Sequence, residues 1–481
     1  MVEAGQFQLA AIIMTLIYIA FIMVLGYIVG KRETKDVENF YVGGRRIGAL
    51  ILFFTLIATI IGAASTVGYA AWFWIRGFSQ LWFTIGIIIA YLIYVIYMNP
   101  RIWKFGKKTG AYTITDFLEY RYQSRLIRYI AGLLIAFAYA AITAFQFMTM
   151  GKVLHTIFGI PYEWSTVISA IIVIAYTSFG GFWSVAITDL IQGILTFIGV
   201  IVLFCVAVAA AGGFGNILAS VPPKHLSLTG YVTPVQALAW FLVFLLGIMS
   251  WPDLWQRVYS GKDLRSVNRS WIAYVITVFP FTLCVGFIGL AGRVLYPNIA
   301  DPETLFPTMA TDLLGLGGVF ILLCLYAIIM GTADSCLLVS VMHFVRDIYQ
   351  CLFRPKASDR EILKASRIGV IVVGVLVLAL ALVAPSIFDL WVMSADITGA
   401  TLAFIILFGW RWKRGDKYAG LASILSGFVG WTLGYLGYSP WGLDPILFGG
   451  ILSLIALIVV GYLRPPVSKE IQSLIDELWK R

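Results

Sequence analysis

The chain has 481 residues, of which 60% are hydrophobic and only 12% charged, with a mean hydropathy of +0.92. An ordinary soluble domain carries about a quarter of its residues as charges, so this composition excludes one and requires a chain that crosses a membrane many times. The net charge of +10 and the pI near 9.3 raise the question of a nucleic-acid partner, which the placement of the basic residues decides.

Apolar stretches long enough to cross a bilayer, about 17 to 25 residues each, lie near 7–29, 48–75, 79–99, 127–156, 163–179, 184–211, 235–258, 270–292, 316–345, 368–384, 386–410, 418–436 and 446–463. They predict an all-α polytopic membrane protein with about thirteen transmembrane helices. With the N-terminus outside and the loops alternating, Lys31 to Arg46, Arg101 to Arg128, Arg257 to Arg269, Arg346 to Arg367, Arg411 to Lys417 and the tail from Arg464 all fall inside. Only Arg76, Lys152, Lys224 and Arg293 of the 34 Lys and Arg residues remain outside. That is the positive-inside bias of membrane chains. It predicts a multi-pass cell-membrane protein with its C-terminus in the cytoplasm, lipid as its surroundings and no nucleic-acid partner.

The first stretch is long and has no basic segment before it, so it reads as a retained anchor rather than a signal peptide. The second runs Ala58-Thr59-Ile60-Ile61-Gly62-Ala63-Ala64-Ser65-Thr66-Val67-Gly68, dense in small and hydroxyl residues at mid-membrane depth. The sixth opens after Gly180-Gly181 and carries Thr188, Asp189 and Gln192 on one helical side. The seventh contains Gly247-Ile248-Met249-Ser250-Trp251-Pro252-Asp253, where proline predicts a kink near Met249. Interruptions in the second and seventh spans lie five spans apart, as two inverted five-helix repeats require, and unwound backbone at such points supplies carbonyls to ligands.

The ninth span carries Gly331-Thr332-Ala333-Asp334-Ser335. An aspartate at the bilayer centre costs about 2.5 to 3.5 kcal/mol, so it must face protein or water and meet a cation or a hydrogen bond. His155, His225 and His343 form no ligand cluster, and the five cysteines show no CxxC pair and read as buried small hydrophobes. The tail, with Ile471, Leu474, Ile475, Leu478 and Trp479 on one side, suits an amphipathic helix lying in the membrane interface.

Thr188-Asp189-Leu190-Ile191-Gln192 after the glycine turn, Met330 to Ser335 continuing to Asp347-Ile348-Tyr349, Trp255-Gln256-Arg257, and Thr113 to Tyr122 together resemble the sodium:solute symporter family. That group includes sodium/proline, pantothenate, sialic acid and glucose symporters. The resemblance spans nearly the whole chain. It implies a leucine-transporter-type core of two inverted five-helix repeats at 47–415, after an extra helix and loop at 1–46 and before two helices at 416–464 and a tail at 465–481. It also implies a sodium site made by the backbone of Ala58, Ile61 and Ile328 with the side chains at Gly331 and Thr332. Gly331 departs from the family, whose members commonly have serine there. A second cation in some relatives maps to Asp189, Asp334 and Ser335, which implies two neighbouring carboxylates with an ion between them or a proton on one.

The expected function is sodium-coupled symport of a small organic solute, an amino acid such as proline or a monocarboxylate, into the cell by alternating access. Sodium is the coupling ion, no organic cofactor is needed, the protein is no enzyme, and a monomer suffices. Proton coupling on the same fold, or a receptor or channel that does not accumulate solute, is the alternative. Solute is expected near the interruptions, with Ser65, Thr66, Gln146, Trp251 and Trp255 as candidate contacts.

Overall fold

A computed structural model describes residues 4–383 and 387–480. Those residues are helical almost throughout, with one isolated bridge between Ile47 and Gly261 and no strand. Among them nine helices are long and apolar enough to cross a membrane, and the pair Pro234–Met249 and Pro252–Ser260, bent by 43°, makes a further broken span. Each apolar stretch marked in the sequence falls on helix over its described residues. The stretches at 163–179 and 184–211 lie on one helical run, Tyr162–Ala210, which breaks at Gly181, where φ is 56°. A side chain there would also meet Phe40, so glycine alone permits this turn.

The ninth span, Leu316–Met342, is the axis of the molecule: every residue from Ile321 to Met342 is buried. It packs on the helices Arg125–Phe158, Tyr162–Ala210 and Ala49–Ile60. Helices apolar on all sides belong either in lipid or inside a protein. The first helix, Ala4–Glu33, illustrates the lipid case, with Leu16, Ile17, Phe21 and Val24 exposed.

At the end that carries the basic loops, two contacts brace the core. Ile47 N–H donates to the Ser260 carbonyl at 3.0 Å and Lys262 N–H to the Ile47 carbonyl at 3.0 Å, which ties the start of the second span to the end of the seventh. Arg128 bonds Asp347 at 2.8 Å, Asp116 at 2.8 Å and Glu119 at 2.7 Å, while Asp347 also accepts from Thr115 at 2.6 Å and lies 2.6 Å from His343. The short helix Ile114–Tyr122 is thereby locked to the end of the ninth span. The tail helix Lys469–Trp479 forms where expected, but its apolar side is not left for lipid: Ile471, Leu474, Ile475 and Leu478 are buried on the protein, and Trp479 donates to the Trp410 carbonyl at 2.7 Å. Of the cysteines, Cys324 and Cys336 are buried as expected, whereas Cys205 is exposed; all five are free.

Candidate cation and solute site

The second span stops as a regular helix at Ile60; Ile61 is extended (φ −88°, ψ 91°), and helix resumes through a wider π-helical turn at Ala64–Gly68. Backbone groups freed at such a break must find partners inside the protein, because lipid offers none. Here the hydroxyls do this locally. Gly62 N–H donates to Ser65 Oγ at 3.0 Å, Ser65 donates to the Ile60 carbonyl at 3.2 Å, and Thr66 donates to the Gly62 carbonyl at 2.7 Å. Ala63 N–H donates to Gln146 Oε1 at 3.2 Å, and Thr332 Oγ1 donates across to the Ala58 carbonyl at 2.9 Å. Glycine at 62 is what lets the ninth span approach: a β-carbon there would sit 2.9 Å from Thr332 Cβ.

The seventh span breaks where Pro252 predicts. Helix ends at Met249 and restarts with Pro252 in its first turn, a position where the missing N–H costs nothing. Tyr94 OH donates to the Ile248 carbonyl at 3.0 Å, which also accepts from Trp251 N–H at 3.2 Å, and Ser250 Oγ donates to the Gly247 carbonyl at 2.8 Å.

The structure brings Ala58, Ile61, Gly331 and Thr332 to one junction, with Ile328 one turn before Thr332 on the same helix. Gly331 faces Gln192 and Asp189: a β-carbon on it would lie 2.8 Å from Gln192 Oε1, 3.0 Å from Ala58 Cβ and 3.3 Å from Asp189 Oδ1. Gly331→Ser is therefore expected to crowd the junction and to destabilise the folded protein by about 1–3 kcal/mol, the cost of overpacking a filled core. Thermal unfolding in sodium-free detergent checks this. The Gln192 amide, buried with no hydrogen-bond partner on either polar atom, is the group that must move.

Beside this junction lies a group that the sequence reading quoted but did not assign, Arg257. It is fully buried. Its Nη2 donates to Thr55 at 3.1 Å, to Ser335 at 2.8 Å and to Thr59, and lies 3.8 Å from Asp189 Oδ2, to which Thr55 also donates. The three residues read as a second cation corner are thus divided. Asp189 and Ser335 converge on the guanidinium, an internal cation, while Asp334 accepts from Tyr176 OH and stays within electrostatic reach of Asp189 and Arg257. Buried charges persist when paired and hydrogen-bonded, and Arg257 meets that condition for Asp189.

Between the two breaks is a narrow, closed-down chamber of about 20 Å³, lined among others by Thr59, Gln146, Trp251, Thr332, Tyr139 and Asp253. Gln146 and Trp251 stand in it as expected. Ser65 and Thr66 do not line it, because their hydroxyls are engaged by the broken backbone. Trp255 does not either: its ring stacks on Trp410 at 5.5 Å and meets Phe117 at 5.4 Å, in a fully buried aromatic layer between the chamber and the basic-loop face. Tyr139 and Asp253 were not anticipated. On the opposite side a vestibule of about 290 Å³ reaches Ala63, the neighbour of Gln146, and is lined by Lys152, which pairs with Glu303 at 2.9 Å.

The profile of the sodium:solute symporter family matches residues 40–427, which include both broken spans, the ninth span and Arg257. The chain belongs to that family. It is 28% identical to the osmoregulated proline transporter OpuE of Bacillus subtilis (strain 168) over 487 residues, covering 97% of this chain and 98% of that one. It is likewise 28% identical to the sodium/proline symporter of Staphylococcus aureus (strain JH9) over 476 residues, covering 94% and 92%. Among solved structures it is similar to a Na+-coupled sialic acid symporter in a substrate-bound outward-open state, with a TM-score of 0.84 and 20% identity over 95% of this chain and 98% of that one. A nucleobase-cation-symport-1 family transporter matches with a TM-score of 0.60 and 15% identity over 91% and 98%. The fold of this sodium:solute symporter is therefore the leucine-transporter type, with the two interrupted helices at its centre.

Proposed function

We propose that this protein is a secondary active transporter that carries a small organic solute into the cell with sodium by alternating access. The observation that carries the reading is the 2.9 Å contact of Thr332 Oγ1 with the Ala58 carbonyl, an oxygen pair joining a broken helix to an intact one. A sodium ion held there by the carbonyls of Ala58, Ile61 and Ile328 and by the Thr332 hydroxyl ties the two elements, and its loss frees them. Gly331 contributes no oxygen, so its place in the set is the room it leaves. We assign the Asp189 and Ser335 corner to Arg257 instead of a second ion.

Sodium and solute then affect each other's binding equally, by linkage. The membrane potential adds about 2.3 kcal/mol per charge per 100 mV to inward sodium flow. Solute enters from the vestibule, past Gln146, into the chamber beside Trp251, and the Trp255 layer and the Arg128 cluster close the other side. The basic loops support a cytoplasmic C-terminus and an external N-terminus in the cell membrane. We take 47–415 as the transport core, with 1–46, 416–464 and 465–481 outside it, and a monomer as the working unit. The two proline-transporting relatives support an amino acid as solute.

Reconstituted in proteoliposomes, the purified protein is expected to accumulate labelled L-proline, L-alanine or pyruvate above the external concentration when an inward sodium gradient is imposed, and to stop when the gradient is collapsed. Equilibration without accumulation, or accumulation driven equally by potassium, overturns the reading.

A further inference from the structure

Asp253 is 3% exposed, lines the chamber, and is the one acidic side chain that does so. One of its oxygens accepts from Tyr139 OH, whose ring borders the same space. Among the described residues no Lys or Arg head group ion-pairs with it. Arg257, one turn on, takes only the Asp253 backbone carbonyl, at 3.3 Å, and directs its Nη2 to Thr55, Thr59 and Ser335. No basic residue lines the chamber.

The helix ends reinforce this polarity. Asp253 lies in the first turn of Pro252–Ser260, whose positive end favours the ionised acid, while the negative end of Ala49–Ile60 reaches the chamber at Ile60. Trp251 lines the same chamber, and an aromatic ring near a carboxylate is a recognised setting for an alkylammonium group. Arg257 acts on this carboxylate through space but makes no ion pair with it; a buried carboxylate without a direct partner is costly, and here the space it faces is the solute's own path.

We propose that Asp253, oriented by Tyr139, is the recognition group for a positively charged nitrogen, and that this transporter's solutes are small ammonium-bearing molecules rather than monocarboxylates or sugars. The proposal rests on the symporter reading and narrows it. A monocarboxylate entering the chamber meets a like charge, and a neutral sugar leaves the acid uncompensated.

The test is thermal stability of the purified full-length protein with matched probes: L-proline against tetrahydrofuran-2-carboxylate, L-alanine against L-lactate, and glucose, each with and without sodium chloride. In sodium at least one ammonium probe is expected to raise the melting temperature, and its oxygen counterpart is not. Asp253→Asn is expected to weaken that response by about thirty-fold or more, as loss of one partner of a buried charge pair does, while the response to sodium alone stays. Tyr139→Phe gives a smaller loss. If Asp253→Asn does not fold, the matched probes on the native protein decide. Stabilisation by lactate, tetrahydrofuran-2-carboxylate or glucose equal to that by the ammonium probes overturns the proposal. So does an intact sodium response with no ammonium probe binding, or an Asp253→Asn protein that binds as before. Absence of any sodium response in the native protein contradicts the symporter reading itself.

Discussion

Arg257→Ala lowers the stability of the folded protein by about 3–5 kcal/mol, the cost of stripping one partner from a buried charge pair. The residue removed is fully buried and donates to hydroxyls from two elements: Thr55 and Thr59 on the second span and Ser335 on the ninth. What remains is Asp189, 0% exposed, with Thr55 as its one remaining hydrogen-bond donor and Oδ1 already without a partner. Lysine is not expected to rescue the loss. A single guanidinium nitrogen here reaches three hydroxyls at once within a planar fork, whereas an ammonium is a compact point charge that seeks hydration. Thermal unfolding of the purified variants measures the effect, with Arg257→Lys expected to fall near Arg257→Ala and well below the native protein.

Arg128→Ala is the second large loss, again about 3–5 kcal/mol, and it carries a pH signature. Arg128 gathers Asp116, Glu119 and Asp347, and its removal leaves three carboxylates with Arg346 3.4 Å from Asp116, the exposed Arg125 3.7 Å from Glu119 and His343 2.6 Å from Asp347. Burial alone favours the neutral form of Asp116, but Arg346, Arg128 and the N–H groups of Tyr112 and Thr113 outweigh it and hold this carboxyl below the ordinary range. A depressed carboxylate contributes stability above its unfolded pKa of about 3.9 and loses that contribution as pH falls through the folded value. In the native protein acid unfolding linked to Asp116 therefore begins below about pH 4. In Arg128→Ala, with one of the lowering charges gone, the folded value moves up toward the unfolded one, so the loss still begins below about pH 4 but is smaller, which melting curves across pH 3 to 7 would reveal.

The two breaks were legible because their causes are local. Proline at 252 cannot continue a helix, and the run from Gly62 to Gly68 is too rich in small and hydroxyl residues to be ordinary lipid-facing span. The junction of Ala58 with Thr332 was legible through family resemblance, since nothing in spacing alone brings residues 274 positions apart into contact. Arg257 was visible as a motif but its partners were not: a buried arginine from another apolar span stands 3.8 Å from Asp189, which nothing in its spacing announces. Ser65 and Thr66 look like ligands in one dimension. Their hydroxyls instead satisfy backbone groups three to five residues away, the usual local competition of such side chains. Asp253 was passed over because it follows the proline and reads as a helix start, a role it fills while also facing the chamber.

The account stands on the cation seat between the ruptured second span and Thr332, and sodium titration of three proteins tests it most directly. Isotherms for the native protein, Thr332→Ser and Thr332→Ala, read by melting temperature or calorimetry, should agree for the first two, which keep the hydroxyl. The third should bind sodium about tenfold more weakly, the equivalent of one lost ligand contact worth about 1.4 kcal/mol. Equal sodium affinity in all three would remove the ion from this junction and contradict the mechanism.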